Sequence, residues 1–502
     1  MAISKIVGIE TEYGIIVRGA ADWNPVSASS QLINAYVATN VGSHEDRVGP
    51  VAWDFADEMP GSDARVGGAP ETALPPEVET HLVNAVLTNG ARFYVDHAHP
   101  ELSTPECRDA LSIVLYDRAA ELIVLDAMAA AARNTPGQEI IIYKDNTDRK
   151  GNSYGCHENY LLDRERPFGQ VVAAATTHFV SRQIFTGSGK VGTELAAYSR
   201  DDVPYQLSQR AEHFEEEVGL ETTLKRPIVN TRDEPHADSS KYRRLHVITG
   251  DANMSQVATF LKVGTSAIVF AMLEDDFMVD APVIADPVRA MHRVSHDVDL
   301  VDTLTTDEGV TMTALEVQWD LLARANRWAK ERGLEAVGET TGKLILERWE
   351  EILSGLETDP MTLAGQLDWV AKKRLLEGFM ARHDCDWDDT RLRALDLQYH
   401  DLRPQKSLAS RVGLETLVSD EDARVATTEP PTDTRAYFRG RCLQKFADQV
   451  VAANWDSIVF DVGDDPLRRV PMLEPSRGTV EHVGTLLDNS ETVIELLEAL
   501  GA

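Results

Sequence analysis

Short runs along this 502-residue chain alternate between apolar and polar residues, with a period of two that is typical of β-strands. The first run, residues 3–17, is rich in Ile and Val and predicts a strand near the start of the chain. Further strands are predicted at residues 92–96, 139–143, 153–162, 245–249 and 457–462. Because side chains alternate along a strand, the polar positions of each run are expected to share one face.

Longer stretches predict helices, and the most evident is residues 108–133, which is rich in Ala and Leu. The other helices are predicted at residues 28–39, 77–88, 167–184, 255–273, 314–332, 340–356, 360–382, 434–449 and 490–500. Together these elements predict an α+β fold with a mostly antiparallel sheet that carries polar residues on one face.

The chain is longer than one ordinary domain, which predicts a large domain and a small one. The Thr- and Pro-rich segment 426–434 is the best candidate for a linker, so we expect a large domain over residues 1–430 and a small one over 431–502. A second irregular stretch, residues 41–76, is dense in Gly, Pro and Asp and shows no period. A segment of that length without regular structure is usually functional or disordered.

Composition narrows the class of protein. The formal net charge of −33 argues against a nucleic-acid partner, because phosphate binding needs a basic surface, but it is compatible with an acidic protein partner if a basic groove exists locally. No run approaches the ~18 to 20 apolar residues of a membrane span. The four cysteines are scattered, which favours a reducing cytoplasm over a disulfide framework or a zinc site.

The first candidate for chemistry is the sequence I-E-T-E-Y-G, in which Glu10 and Glu12 share a strand face. Two adjacent carboxylates repel each other, and a hard cation between them relieves that repulsion. A solvated strand face is the alternative, and an isolated E-x-E pattern does not exclude it.

The second candidate is N-G-A-R-F-Y-V-D-H-A-H-P-E, residues 89–101. Its apolar residues take one face of a short strand and leave Arg92, Tyr94 and Asp96 together on the other. Such a row suits catalysis, with Asp96 as base or nucleophile and Arg92 as an anion clamp. The following residues add possible metal ligands or substrate contacts: His97, His99 and Glu101. The alternative is a solvated edge strand, where charged residues are common.

Two later strands contain possible ligands, Glu158 and His246, although a single histidine within a strand is more often a hydrogen-bonded core residue. Arg244 shares a face with His246, which suits an anionic ligand. Basic residues crowd into this part of a very acidic chain and form a candidate site for phosphate or an acidic partner, with a solvated charge run as the alternative. They are Lys225, Arg226, Arg232, Lys241, Arg243 and Arg244.

The combination of these segments resembles the family of Pup ligases and Pup deamidases, which share the carboxylate-amine ligase fold of glutamine synthetase. The resemblance covers nearly the whole chain. It rests on G-I-E-T-E-Y-G (8–14), residues 89–101, T-P-E-C (104–107), G-C-H-E-N-Y (155–160), residues 219–238, R-R-L-H-V-I-T-G-D-A-N-M-S (243–255), R-A-Y-F-R-G-R-C (435–442) and N-W-D (454–456).

The resemblance implies a large domain whose curved antiparallel sheet cradles ATP, or ADP plus phosphate, with Mg²⁺, and a small C-terminal domain. It implies Asp96 as the catalytic aspartate. The implied metal ligands are Glu10, Tyr94, Glu101, Glu158 and His246. The implied nucleotide contacts are Gly8, Ile9, Thr11, Glu12, Ser103, Thr104, Tyr160, Arg244 and Trp455. Pup, a small acidic protein tag, is expected to contact Arg92, Arg226, Arg232 and Arg243.

Within the family, the form Y-V-D-H-A-H-P-E resembles the deamidase branch, since the ligase branch has a form like Y-L-D-V-G-S-H-P-E. The deamidase also carries an inserted loop after the first helix, where residues 41–76 lie, and the apolar R-V-G-P-V-A-W-D-F within it suits a lid. The resemblance then implies hydrolysis of the C-terminal glutamine amide of Pup and of the isopeptide bond to tagged proteins. A Pup ligase and a non-catalytic Pup-binding adaptor are the alternatives.

Overall fold

A computed structural model gives the fold and describes residues 1–40, 51–56, 58–59, 61–65, 82–199, 201–463 and 466–501. Its strands, in chain order, are β1 (Val7–Glu12), β2 (Gly14–Arg18), β3 (Ala52–Trp53), β4 (Asn84–Val86), β5 (Arg92–Asp96), β6 (His99–Ser103), β7 (Glu139–Tyr143), β8 (Cys156–Asp163), β9 (Lys190–Val191), β10 (Tyr205–Gln206), β11 (Phe214–Gly219), β12 (Arg226–Asn230), β13 (Tyr242–Val247), β14 (Thr303–Thr305), β15 (Thr311–Thr313), β16 (Val450–Ala453), β17 (Ser457–Phe460) and β18 (Arg468–Pro471).

The α-helices of the described residues are α1 (Pro25–Asn40), α2 (Ala110–Asn134), α3 (Phe168–Ser181), α4 (Gln183–Thr186), α5 (Gln256–Glu274), α6 (Pro287–His296), α7 (Ala314–Arg332), α8 (Glu339–Thr358), α9 (Asp368–His383), α10 (Thr390–Tyr399), α11 (Ala409–Val412), α12 (Asp420–Ala426), α13 (Ala436–Lys445), α14 (Val480–Asn489) and α15 (Val493–Leu500).

Within the described residues, ten strands form the main sheet in the order β13-β8-β1-β6-β5-β4-β3-β16-β17-β18. Neighbouring strands are antiparallel except for β3 and β16, which are parallel. The predicted α+β fold with a mostly antiparallel sheet is therefore confirmed. The C-terminal strands β16 to β18 extend the same sheet, while their side chains pack in a hydrophobic cluster with α13, α14 and α15. The boundary at residues 430 and 431 stays a prediction.

Helices cover one face of the sheet. The apolar side chains of β1, β8 and β13 pack with α3 and α5, as in the contact between the rings of Tyr160 and Phe270 at 5.1 Å. The apolar side chains of β5 pack with α1 and α2. Helix α5 is long and apolar enough to cross a membrane, but 94% of its apolar window is buried inside the protein, as in a core helix. The opposite face of β13, β8, β1, β6 and β5 carries the polar residues.

Some predicted elements differ from the structure. The predicted strand over residues 3–17 is two strands separated at Tyr13. The predicted helix 77–88 is wrong at its C-terminal end, because residues 84–86 form β4 against β5, and its first five residues lie outside the described ranges. Helix α14 was not predicted.

Most of the irregular segment 41–76 lies outside the described residues. Its described part includes β3, and Trp53 of this strand and the preceding Val51 are buried in the C-terminal hydrophobic cluster. The predicted role of this segment as a lid stays a prediction.

Candidate active site

The strand register assembles one polar surface from four segments far apart in sequence. Glu10 on β1 lies opposite Ser103 on β6 and opposite His157 on β8. Glu12 lies opposite Glu101, which in turn lies opposite Tyr94 on β5. Directly paired residues lie on the same face of a sheet, so the prediction that Glu10 and Glu12 share a face is confirmed.

The carboxylate cluster consists of Glu12, Asp96 and Glu101, each of which offers an oxygen within 4.8 Å of the others. Glu101 is only 2% exposed. Burial, followed by the charges of Asp96, Glu12 and Glu10, holds the pKa of Glu101 well above its ordinary value. Three carboxylates at this separation are therefore a costly arrangement unless a proton or a cation neutralises part of their charge.

Asp96 ends β5, and the turn to β6 begins at His97, whose φ of 51° lies in the left-handed region. Nδ1 of His97 lies 2.9 Å from Oδ2 of Asp96. Burial acts to raise the pKa of Asp96, but the hydrogen bond and charge of His97, together with His157 and Arg92, leave that pKa below its ordinary value. Asp96 is thus ionised at neutral pH, which suits a nucleophile or a general base.

The histidine cluster consists of Glu10, His157 and His246, whose ligand atoms also lie within 4.8 Å of one another. Asn159 organises this cluster, because its Nδ2 donates to Oε1 of Glu10 at 2.8 Å and its Oδ1 lies 3.0 Å from Nδ1 of His246. Since an amide oxygen only accepts, His246 donates from Nδ1 and keeps a lone pair on Nε2 for a metal ion. Burial holds the pKa of His246 well below its ordinary value, which keeps the ring neutral.

The donor chemistry of the two clusters fits divalent cations. Carboxylate oxygens are the ligands that Mg²⁺ takes in proteins, and neutral imidazoles are common metal ligands. A cation at the carboxylate cluster would also remove the repulsion that raises the pKa of Glu101. Tyr94, an expected ligand, is buried beside these groups, and its hydroxyl accepts a hydrogen bond from Oγ of Ser103 at 3.4 Å.

A cavity adjoins the histidine cluster and contains about 540 Å³ of space between atoms, part of it open to solvent. Glu10 and Arg244 stand at its wall, and Pro235, Leu161 and Pro475 supply apolar surface. Seven of the nine expected nucleotide contacts line it: Gly8, Ile9, Ser103, Thr104, Tyr160, Arg244 and Trp455. At β1 the N–H of Ile9 donates to Oγ1 of Thr104 at 3.1 Å, which links two segments of the wall.

The other two expected nucleotide contacts lie elsewhere. Thr11 points to the helix-covered face, where its hydroxyl lies 3.8 Å from Sγ of Cys156. Glu12 belongs to the carboxylate cluster, where its Oε1 accepts from the N–H of Gly155 at 2.8 Å. Neither is among the residues that line the cavity, and their contact with a nucleotide stays a prediction.

Glu158 is a further correction, because it lies on the helix-covered face rather than beside Glu10. Oε1 and Oε2 of Glu158 accept from Arg182 at 2.6 and 2.9 Å, and Oε2 also accepts from the hydroxyl of Tyr160 at 2.5 Å. The residue that β8 places in the histidine cluster is its neighbour His157. The sequence held the signal for this, since His157 and Asn159 alternate with Glu158 and Tyr160.

The four arginines expected to bind an acidic partner divide between the two faces. The guanidinium of Arg92 lies 4.1 Å from the ring centre of Trp53 and 3.9 Å from that of Tyr94, at the edge of the site. Arg226 donates to the carbonyl of Ser153 at 2.7 Å, and Glu12 is among the charges that act on its pKa, which burial lowers.

Arg232 and Arg243 are the other two arginines that were expected to bind an acidic partner. Nε of Arg232 is buried without a hydrogen-bond partner among the described residues, and its charge acts on Arg244 and His246. Arg243 instead points to the other face, over the ring of Phe168 at 5.3 Å. The expectation that Arg243 joins the site is therefore corrected, because successive residues of β13 face opposite ways.

Residues 5–459 match the family model described as Pup-ligase protein. The chain belongs to the Pup ligase family. This family member is 50% identical over 99% of both chains to a depupylase of Acidothermus cellulolyticus. It is 45% identical to the Pup deamidase/depupylase of Mycolicibacterium smegmatis, over 99% of this chain and 100% of that one. A Pup–protein ligase of Kineococcus radiotolerans is 38% identical, over 81% of this chain and 90% of the ligase.

Two solved structures of the Pup ligase PafA match this family member. The complex between Pup and PafA superimposes with a TM-score of 0.79 at 28% identity, over 99% of this chain and 94% of that one. PafA in complex with ADP gives a TM-score of 0.72 at 33% identity, over 81% and 89% of the two chains. The face of the sheet that carries both clusters thus belongs to a fold that is shared with a Pup-binding protein.

Proposed function

We propose that the protein is a Pup deamidase and depupylase, which hydrolyses the C-terminal glutamine amide of Pup and the isopeptide bond between Pup and a lysine of a tagged protein. The observation that carries the proposal is the position of ionised Asp96 within the carboxylate cluster, on the sheet face that also carries Glu10 at the cavity wall. Full-length alignment with proteins named depupylase supports this branch, since the ligase of Kineococcus radiotolerans aligns over only 81% of the chain.

The proposed cofactors are ATP, or ADP plus phosphate, and Mg²⁺. The nucleotide fits the cavity, whose apolar walls suit a base and whose Glu10 and Arg244 end suits phosphates with a cation. The PafA structure with ADP supports this assignment. The carboxylate and histidine clusters would hold magnesium, with Tyr94 beside them. When bound, the cation polarises the carbonyl of the scissile amide and stabilises the charge that develops on its oxygen.

Asp96 carries the bond-breaking step in the proposed mechanism. In one route, its carboxylate attacks the amide carbon, the amine leaves with a proton, and water then hydrolyses the resulting anhydride. In the other, it accepts a proton from water while the hydroxide attacks. His97 holds the carboxylate through its contact at 2.9 Å in both routes. Both routes consume one water and release ammonia from Pup or the lysine amine from a tagged protein.

The proposed macromolecular partners are Pup and pupylated proteins, with no role for nucleic acid or membranes. Arg92, Arg226 and Arg232 are the basic groups that would contact acidic Pup, because they lie on the side of the clusters. A cytoplasmic location is part of the proposal. Free thiols at all four cysteines support it, since disulfides are rare in a reducing compartment.

Incubation with Pup ending in glutamine, ATP and MgCl₂ tests the function, with intact mass and ammonia as the readouts. We expect conversion of the amide to the acid without stoichiometric loss of ATP, and no conversion by Asp96→Asn. A ligase would leave that amide intact and would instead consume one ATP for each Pup ending in glutamate that it attached. An adaptor would bind Pup without changing it, and either result would refute the proposal.

A further inference from the structure

One carboxylate ties the C-terminal segment to the wall of the cavity. Glu106, three residues after β6, accepts hydrogen bonds from Nε of Arg435 at 2.6 Å and from Nη2 of Arg439. We name Glu106, Arg435 and Arg439 the arginine clasp. Burial acts to raise the pKa of Glu106, but the two guanidinium groups lower it to about 2, so the clasp is ionised at neutral pH.

Arg435 connects this carboxylate to two further cavity segments. Its Nη1 donates to the carbonyl of His236 at 2.6 Å and to that of Met472 at 2.8 Å. His236 lines the cavity and adopts a left-handed φ of 46°, a conformation that a side chain with a Cβ adopts only at some cost. The contact from Arg435 therefore helps to fix a strained part of the wall.

Arg439 connects the carboxylate to Trp455. Its Nη1 donates to the carbonyl of Trp455 at 3.1 Å, and its guanidinium carbon lies 5.1 Å from the centre of the indole ring. Its other side donates from Nη2 to the carbonyl of Gly90 at 2.9 Å. Arg439 is fully buried and does not line the cavity, whereas Trp455 does. Arg439 is thus placed to act on a ligand of the cavity through Trp455.

The guanidinium groups of the clasp donate mainly to groups of the protein itself. Each guanidinium is held by Glu106 and by two backbone carbonyls, but Arg435 lines the cavity whereas Arg439 does not. The cationic group for phosphates is Arg244, at the Glu10 side of the same cavity. The clasp side, with Trp455 and His236, is suited to an uncharged, aromatic part of a ligand.

We propose that the arginine clasp is a positioning device that holds Trp455 and His236 in place for the base of a purine nucleotide. The proposal rests on the nucleotide assignment of the proposed function and adds residues that set affinity by holding the cavity wall in place. Loosening the clasp should weaken nucleotide binding and leave the chemical step intact, because no residue of the clasp belongs to either cluster.

Arg439→Lys is the main test, since lysine keeps the charge but cannot reach Glu106, Gly90 and Trp455 together. We expect the Kd of ADP, measured by calorimetry below the melting temperature, to rise about tenfold through loss of charged hydrogen bonds. The KM for ATP in the deamidation assay should rise in parallel, while kcat at saturating ATP stays within about twofold of wild type. Glu106→Gln should act in the same direction and serves if Arg439→Lys does not fold.

Arg403→Lys provides a matched control, because Arg403 is also buried and holds a carboxylate, Asp401, through Nη2 at 2.7 Å. It is not among the residues that line the cavity, and its variant should keep the wild-type Kd of ADP even where its melting temperature falls. The double variant Glu106→Gln/Arg439→Lys should lose less affinity than the sum of the two single losses, because both changes weaken the contact between Glu106 and Arg439.

Two results would overturn the inference in distinguishable ways. If Arg439→Lys and Glu106→Gln melt at lower temperature but bind ADP like wild type, the clasp serves stability alone and the nucleotide assignment stands. If the wild-type protein itself does not bind ADP, the nucleotide assignment fails, and the clasp cannot position a base.

Discussion

Replacement of Glu101 by Gln should stabilise the protein in the absence of divalent cations. Glu101 is buried, and its carboxylate lies within 4.8 Å of those of Glu12 and Asp96. Two full charges at that distance repel by about 3.5 kcal/mol at an effective dielectric constant of about 20. Burial, followed by this repulsion, raises the pKa of Glu101 well above its ordinary value.

The raised pKa of Glu101 determines whether its replacement stabilises or destabilises the protein. A carboxyl whose pKa is raised on folding favours the folded state below its ordinary pKa, and this advantage is lost as pH rises towards the folded pKa. At pH 7 the free energy of unfolding that is lost in this way cannot exceed about 3.7 kcal/mol, because the ordinary pKa of glutamate is about 4.3 and each pH unit above it is worth about 1.36 kcal/mol. Glu101→Gln removes this loss, so we expect it to raise the free energy of unfolding by about 2 to 3 kcal/mol at pH 7.

Thermal unfolding with EDTA and with saturating MgCl₂ provides the assay. With an unfolding entropy of about 2.1 cal/mol/K per residue, this gain in the free energy of unfolding corresponds to a rise in melting temperature of about 2 to 3 °C. Mg²⁺ should stabilise the wild type and have a smaller effect on Glu101→Gln. Glu158→Gln is the matched control on the other face, where loss of the ion pair with Arg182 should destabilise the fold by about 3 kcal/mol. A lower melting temperature for Glu101→Gln in EDTA, or an undiminished response to Mg²⁺, would refute the reasoning.

Three further predictions concern activity and binding. Asp96→Asn should reduce deamidation at least about 1000-fold with the Kd of ADP nearly unchanged, since it removes the reacting group alone; residual turnover near wild type in the ammonia assay would exclude Asp96. His157→Ala should raise the Mg²⁺ concentration for half-maximal activity by about tenfold or more, and an unchanged titration would contradict its place among the ligands. Arg232→Ala should weaken Pup binding and reduce its salt dependence, whereas Arg243→Ala should change neither. Anisotropy titrations at two ionic strengths measure both quantities. Equal losses of affinity would refute the assignment of Arg232 and Arg243 to opposite faces of the sheet.

Strand alternation accounts for much of what could be predicted from the sequence. The shared face of Arg92, Tyr94 and Asp96 needs only the period of two, and the structure confirms it. The same rule, applied to β8, separates His157 from Glu158. Glu158 was expected as a ligand both from its place in a strand-like run and from the resemblance to the family. A shift of one residue along a strand exchanges an active face for a core face.

Other features depend on contacts that no local pattern contains. Strand β4 is three residues long and is defined by its pairing with β5, so its sequence alone does not distinguish it from a helix. Helix α14, by contrast, has a local signal in Thr479, whose side chain caps the helix by accepting from the N–H of His482. The order of β1, β6 and β8, which builds both clusters, is a tertiary property and follows only from the packing of the whole sheet.

Contacts between aromatic side chains also connect the cavity with Arg92 at the edge of the site. Trp455 meets the clasp on one side and the ring of Trp53 on the other, with ring centres 5.2 Å apart. Trp53 in turn lies 4.1 Å from the guanidinium of Arg92. Trp53 is contributed by the described part of segment 41–76, and Trp455 by the turn between β16 and β17. The cavity and the proposed Pup-binding edge therefore meet at one aromatic contact, and we expect a change at Trp53 to alter both.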